Sequence, residues 1–594
     1  MTAVRTPAAG VVVERDVWIT MRDGVRLQAD IWRPAGTGGY PVLLQRTPYN
    51  RSDSFAVIVN AGIEPLEAVA AGFVVVIQDT RGRWASEGVF DPFRNEAADG
   101  FDTIQWLAEQ DYSNGRVGMY GASYYAATQL LAATARPPAL RAIAPQATAS
   151  DYHDDWIYRG GALQLGFSLY WALGLAAAEA QRSTAVRPAS AAFASLAADP
   201  WAAFRSRPLA GLDALTALLP AWGDWLAHPT RDEFWTSISI AEHFRSIDLP
   251  ALHIGGWFDI FLHGTLANHR GLSHNGAGAE QRLIIGPWAH AVAYDALGEV
   301  EYGAGAAAAA LNMSRTQLAF FASHLIPGHT SAATTPVRIF VMGANQWRDE
   351  TEWPPARVRA ERLYLTSEKS ERILTVEPPR GDVGPDSFVF DPSDPAPTVG
   401  GATFLPGAYV GLHAGQRDQR GVEARADVLT YTSGVLAEEL EICGPVGVSL
   451  WASTTAADTD WTAKLVDVHP DGRALNICDG IIRARYAGAS GEESLVQPDT
   501  VREYRIDLGA TAIVLPRGHA VRLEISSSNF PRFDVNPGYR GEIASATVTD
   551  EVVSRQTVLH DDLHPSYLEL SVTTELVVST ESESGANHVA HRQD

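Results

Sequence analysis

Between Val11 and Pro34 apolar and polar residues alternate on either side of Arg22-Asp23-Gly24, and this period of two broken by a turn triplet predicts a β-hairpin. Short apolar runs follow at Pro41 to Gln45, Phe73 to Gln78, Val117 to Tyr120, Leu140 to Pro145, Ala251 to Gly256 and Leu283 to Gly286. Between such runs lie stretches like Asn95 to Gln110, where apolar positions recur at helical spacing. Strands alternating with helices predict a mostly parallel sheet covered on both faces. From Asp151 to about Ser246 the strand pattern vanishes. Gly161 to Arg182 and Ala191 to Leu219 are rich in Ala, Leu and aromatics and are punctuated by Pro188, Pro200, Pro208 and Pro220, which predicts a helical insertion between two strands of the sheet. Projecting from the carboxyl edge of the strands, it would cover whatever lies there.

The α/β pattern resumes from Leu283 to about Pro327, and Val337 to Met342 gives one more strand. Gly303-Ala304-Gly305 leads into an alanine run with no strand before it, which reads as a helix start and not as a phosphate loop. Beyond Trp353-Pro354-Pro355, short Val/Thr/Ile/Leu runs recur between Gly, Pro and Asp clusters: Val446 to Trp451, Thr462 to Val468, Val501 to Ile506, Ala520 to Ser526 and Leu568 to Val578. That spacing predicts an all-β sandwich or jelly roll. The expected division is an α/β body from 1–150 and 247–353, a helical cap at 151–246, a β domain at 354–580 and a disordered polar tail at 581–594.

Composition narrows the classes of function. Hydrophobic residues make up 46% of the 594 and charged ones 20%, with no apolar run long enough to span a bilayer, so a soluble folded protein is expected. The formal charge of -24 repels phosphate backbones and anionic lipid, so neither nucleic acid nor membrane is an expected partner. The first residues lack the apolar core of a secretory signal. Cys443 and Cys478 are the two cysteines of the chain, which fits a reduced, cytoplasmic protein. Nothing resembles a zinc cluster, a Walker loop or a dinucleotide fingerprint, so neither metal nor organic cofactor is expected.

The candidate chemistry starts at Gly118 to Ala126. Ser123 falls between the end of a buried strand and the helix-forming AATQLLAAT, where a nucleophile elbow carries its serine. A small residue at 121 lets the turn close, and the following helix offers free N–H groups. The G-x-S-x-G pattern is broken by Tyr125. A serine hydroxyl needs an imidazole oriented by a carboxylate, in the chain order Ser, Asp or Glu, His. Asp259 lies just past the run ending in Gly256, and His290 just past that ending in Gly286. His253 and His263 are competing bases: the first is inside its strand and reads as a core histidine, the second sits at a helix start and stays open. The N–H of Tyr124 is one oxyanion donor. Tyr49, after Arg46-Thr47-Pro48, is a second candidate or a packed loop aromatic.

These residues carry a resemblance. R-x-P-Y (46–49), Q-D-T-R-G with S-E-G (78–82 and 86–88), G-x-S-Y (121–124), G-W-F-D (256–259), G-P-W-x-H (286–290), D-T-D-W-T-A-K-L (458–465) and S-S-S-N-F-P (526–531) are similar to the bacterial cocaine esterase group of the X-Pro dipeptidyl-peptidase and α-amino-acid ester hydrolase superfamily. The resemblance implies an α/β-hydrolase body with an inserted helical cap and a C-terminal jelly roll, and makes Tyr49 an oxyanion donor. It also implies an aromatic acyl pocket at Trp156, Trp171, Phe261, Phe404 and Leu405.

Two departures matter. Ala126 stands where relatives have glycine. After the catalytic Asp, where amino-ester hydrolases carry two ammonium-binding carboxylates, the chain reads Ile260-Phe261-Leu262. Asp155 matches the third, or serves as a helix cap or structural pair. The expectation is a serine carboxylesterase for small-molecule esters with an uncharged, apolar acyl group. An amidase, aminopeptidase, amino-ester hydrolase or acyltransferase with the same triad is the alternative, a sugar-binding β protein the more distant one. A homodimer is compatible with the chain.

Overall fold

The computed structural model describes residues 10–578 apart from 37, 54–61, 183–186, 275–277, 291–292, 330–334, 369–370, 382, 408–412 and 489–492, so the expected disordered tail lies outside the described residues. The first sheet has ten strands: β1 (Val11–Thr20), β2 (Arg26–Pro34), β3 (Tyr40–Thr47), β4 (Val74–Asp79), β5 (Ser113–Ala122), β6 (Leu140–Gln146), β7 (Ala251–Phe258), β8 (Gln281–Ala289), β9 (Val337–Val341) and β10 (Gln346–Glu350). Their order is β1-β2-β4-β3-β5-β6-β7-β8-β9-β10. From β4 to β9 every neighbouring pair is parallel, and antiparallel pairs close both edges. Burial follows position. Every residue of β4 and β7 is buried because helices or the second body cover both faces, whereas β1 at the edge is largely exposed.

Among the described residues the helices before β7 are α1 (Pro65–Ala70), α2 (Glu96–Ala108), α3 (Tyr124–Thr134), α4 (Leu165–Arg182), α5 (Arg187–Ala198), α6 (Pro200–Phe204), α7 (Asp213–Leu218), α8 (Ala221–Ala227) and α9 (Glu233–Thr236), of which α4 to α9 belong to the insertion. The prolines of the insertion start its helices more than they break them. Pro188 is the second residue of α5, Pro200 opens α6 behind the N-cap Asp199, and Pro220 precedes α8. The insertion is not wholly helical. A π-helical turn at Tyr152–Ile157 leads into a small hairpin that pairs Tyr158 with Leu163 and Arg159 with Ala162. At its tip Gly160 has φ +53, and a Cβ there would meet the Ile481 carbonyl at 2.1 Å, so only glycine lets the cap dock this closely on the second body.

After β7 come α10 (Leu262–His274) and α11 (Met313–Leu325). The alanine run after Gly303 does not start an α-helix. A single 3-10 turn spans Ala304–Ala306, and the helix waits until Met313. The carbonyls a helix would use are taken: Trp347 Nε1 donates to Gly305 O and Trp288 Nε1 to Ala306 O, each at 2.8 Å.

The C-terminal body is the jelly-roll part of the fold. It has β11 (Arg359–Glu368), β12 (Glu371–Thr375), β13 (Asp386–Phe390), β14 (Leu429–Ser433), β15 (Leu440–Thr454), β16 (Asp460–Val468), β17 (Ala474–Arg483), β18 (Arg502–Leu515), β19 (Ala520–Ser526), β20 (Ser554–Leu559) and β21 (Tyr567–Val572). All pairs are antiparallel except β12 with β14. The last strand ends at Val572, short of the expected Val578, which makes only an isolated bridge to Leu436. The two bodies share backbone bonds where Met342 N donates to Ala512 O and Val514 N to Met342 O. Cys443 and Cys478 are free and buried. Among the described residues no helix is long and apolar enough to cross a membrane.

Candidate active site

Because β5, β7 and β8 run parallel, residues just past their carboxyl ends gather on one edge of the sheet. Ser123 is the single residue between β5 and α3, with φ 61 and ψ -126, a conformation that costs an L-residue on the order of 1–3 kcal/mol. Hydrogen bonds hold it there. Its N–H donates to Gln146 O at 2.9 Å, and its carbonyl accepts from Ala126 N and Ala127 N. Gly121 has φ +123, and a Cβ there would lie 2.6 Å from Cβ of Tyr125. The tyrosine that replaces the last glycine of the elbow pattern thus makes the first one obligatory.

His290 Nε2 lies 3.1 Å from Ser123 Oγ, and its Nδ1 is 3.3 Å from both carboxylate oxygens of Asp259. All three side chains are buried. Asp259 Oδ1 also accepts from Phe261 N at 2.7 Å, which fixes the carboxylate in the turn that precedes α10. An imidazole that donates Nδ1–H to the carboxylate leaves Nε2 free to accept the serine proton. His253 and His263 do not reach Ser123. His253 Nε2 meets Gln281, and burial together with His269 pushes it down to about 3, as fits a neutral core histidine.

Tyr49 and Trp171 come together beside the serine. Trp171 Nε1 donates to Tyr49 Oη at 2.9 Å. An indole N–H only donates, so the tyrosine's own proton is left for another acceptor, and its hydroxyl interacts with Ser123. Burial raises Tyr49 to about 12 even though Trp171, Arg83 and Ser123 all favour its anion. The N–H of Tyr124 opens α3, where first-turn donors have no intrahelical acceptor. The motif residues brace this corner from behind. Tyr124 Oη donates to Glu96 at 2.9 Å and accepts from Phe93 N, and Glu96 pairs with the fully buried Arg46 at 2.5 Å, itself bonded to Gln78. Arg83 and Trp84 were not singled out from sequence, although they directly follow the Q-D-T-R-G motif. Both donate to Pro48 O, at 3.0 and 3.1 Å, and so hold the Tyr49 loop.

Of the five residues that the resemblance assigns to an acyl pocket, two flank His290 and the others pack in the same aromatic cluster. Phe261 and Phe404 lie edge-on to its ring with centroids 5.1 and 5.2 Å away. Trp156 stacks on Phe261 at 4.2 Å and meets Trp171 at 5.3 Å. Leu405 packs beneath them against Gly166. Trp156 and Phe261 are fully buried in this aromatic cluster, while Phe404 is half-buried. Phe167 and Trp225 stack on Trp171 in the same cluster and carried no sequence signal beyond the aromatic content of the insertion.

Asp155 is a structural pair. Its carboxylate accepts from Ser150 N and Asp151 N and lies 2.5 Å from His263 Nδ1. Burial works against the charge, yet His263 and these donors hold Asp155 down at about 2. The charge of Asp155 in turn raises His263 above its ordinary value. A cavity of about 1030 Å³ between cap and β body is lined by His263, Arg159, Arg231 and Asp507 and lies outside the serine site. The triad offers no metal set. Among the described residues one group could ligate an ion, Asp467 with His469 and His519 in the β body.

Comparisons with known proteins agree with this layout. Residues 23–292 match the family model of the X-Pro dipeptidyl-peptidase (S15 family), and residues 329–569 match that of the X-Pro dipeptidyl-peptidase C-terminal non-catalytic domain. The chain is 37% identical over 572 residues to the cocaine esterase of Rhodococcus sp. (strain MB1 Bresler), covering 94% of this chain and 98% of the other. A solved aminopeptidase from a marine sediment archaeon, Thaumarchaeota archaeon, superposes with TM-score 0.81 at 26% identity over 97% and 98% of the two chains. An α-amino acid ester hydrolase superposes with TM-score 0.80 at 26% identity over 96% and 98%.

Proposed function

Starting from a chain that belongs to the cocaine esterase-like hydrolases of the X-Pro dipeptidyl-peptidase (S15) family, and is thus a serine hydrolase, we propose that it cleaves carboxylic esters with an uncharged, apolar or aromatic acyl group through an acyl-enzyme on Ser123. The observation that carries this reading is the unbroken relay from Asp259 through His290 to the Ser123 hydroxyl, with 3.3 and 3.1 Å contacts. Ser123 Oγ attacks the ester carbonyl carbon as its proton passes to His290 Nε2. Asp259 orients the imidazole and stabilises the imidazolium. The oxyanion receives the Tyr49 hydroxyl and the Tyr124 N–H. Collapse expels the alcohol, protonated by His290. A water then attacks the acyl carbon, gives its proton to the same nitrogen, and restores Ser123 as the acid leaves.

The acyl preference follows from the wall of Trp156, Phe261 and Phe404 and from the uncharged Ile260-Phe261-Leu262 turn. Asp155 is already neutralised by His263, so a charged α-amino group would be desolvated without a partner. A small-molecule ester is therefore the expected substrate. The test is a panel of p-nitrophenyl esters, amino-acid esters and anilides on purified wild type and Ser123→Ala. Aryl and apolar acyl esters should turn over fastest, and the variant should be inactive. Faster turnover of amino-acyl esters or anilides would move the reading to the amino-ester hydrolase or aminopeptidase alternative, and an active variant would end it.

A further inference from the structure

β16 ends at Val468, and its ladder with β19 sets Asp467 opposite Val521 and Val468 opposite Ala520. One step further, His469 and His519 face each other, with ring centroids 4.4 Å apart. Side chains two residues apart on a strand share a face, so Asp467 joins them. Its Oδ1 is 2.8 Å from His519 Nδ1 and its Oδ2 3.3 Å from His469 Nε2, and the three ligand atoms all lie within 4.8 Å of one another.

A closed His–Asp–His hydrogen-bond chain would account for such a cluster, but this one is open. His469 Nε2 is buried without a hydrogen-bond partner although a carboxylate oxygen is beside it. In a tetrahedral site with bonds of about 2.0–2.1 Å, neighbouring ligand atoms stand about 3.3–3.4 Å apart. That is the separation of Asp467 Oδ2 and His469 Nε2. One carboxylate and two imidazoles suit zinc, cobalt or nickel better than calcium or magnesium, which favour oxygen shells. The nearby cation Arg473 weighs against an ion, though it is paired with Asp471 at 2.8 Å.

We propose that Asp467, His469 and His519 bind one divalent transition-metal ion of the zinc type, with water completing its shell, and so cross-link the β16–β17 turn to the start of β19. The site shares no residue with Ser123, Asp259 or His290, and its role is to stabilise the β body.

The full-length protein is titrated with zinc chloride by calorimetry and with cobalt chloride by visible absorption. The expected results are one ion per chain, tetrahedral cobalt bands and a higher unfolding midpoint with zinc. His469→Ala and His519→Gln should each weaken binding by at least about tenfold, while Ser123→Ala leaves it unchanged. His469 lies in a hairpin turn, so its variant is expected to keep the wild-type circular dichroism. If His469→Ala misfolds, His519→Gln carries the test alone. No saturable binding by the wild type, or binding that folded variants retain, overturns the proposal.

Discussion

Two Asp–His pairs meet at the turn after β7, where Asp259 of one stands four residues before His263 of the other, and their third partners differ. In the first, His290 lies between the Asp259 carboxylate and the Ser123 hydroxyl. In the second, His263 lies between two carboxylates, Asp155 at 2.5 Å and Asp507 at 3.5 Å. An imidazole with a hydroxyl on its far side can take a proton and return it. One with a second carboxylate there has every reason to keep its charge. The third partner, not the Asp–His contact itself, separates a relay from a clamp. The clamp also serves the relay, because Asp155 precedes Trp156 and His263 follows Phe261 by two residues. Their pairing fixes the two stacked rings of the proposed acyl wall.

Substitutions break the contrast in graded fashion. Ser123→Ala should lower kcat on an aryl ester by about 10⁶-fold with an unchanged unfolding midpoint. Asp259→Asn should keep the fold and lower kcat by about 10⁴-fold, through loss of the imidazole's orientation. Tyr49→Phe should cost about 10²–10³-fold in kcat with little change in KM, as expected of an oxyanion donor. Trp171→Phe keeps the ring but removes the N–H on Tyr49, and should cost up to about tenfold in kcat. Steady-state kinetics on one aryl ester checks all four.

The clamp should respond least in turnover and most in pH dependence. Asp155→Asn and His263→Gln are expected to raise KM more than they lower kcat and to reduce the unfolding midpoint by a few degrees. The sign with pH is set by the shifts. His263 is raised by Asp155, so its contribution is complete below about 6.5 and fades as pH rises through its folded value. Asp155 is held at about 2, so its own contribution persists down to that range. Thermal unfolding of the wild type from pH 5 to pH 9 should therefore show a loss on the alkaline side that His263→Gln lacks. The same slope in both proteins would assign the loss to other groups.

Sequence pattern was enough for the elements that hold the relay. Buried parallel strands such as β4 and β7 are mostly apolar runs, and residues just past such runs are the ones the sheet gathers, so the meeting of Ser123, Asp259 and His290 at one edge was legible from order and position. Contacts across the fold were not. Nothing near Asp155 in the chain points to His263, 108 residues away, and the choice between ammonium ligand and structural pair needed the fold. The alanine run failed for a similar reason. Its composition favours a helix, but Trp288 and Trp347 arrive from elsewhere to take its carbonyls. The metal-type cluster was hidden because His519 is 50 residues beyond His469 and becomes its neighbour only through the β16–β19 ladder.

The central claim is that the substrate's acyl group passes through a covalent bond to Ser123. Rapid acid quench of the enzyme with a slowly deacylating aryl ester, followed by peptide mass spectrometry, tests it directly. The predicted result is an acyl-sized mass increment on the peptide containing Ser123, formed in the burst phase and absent from Ser123→Ala. Turnover at the normal rate with no adduct, or with the adduct on another residue, would contradict the account.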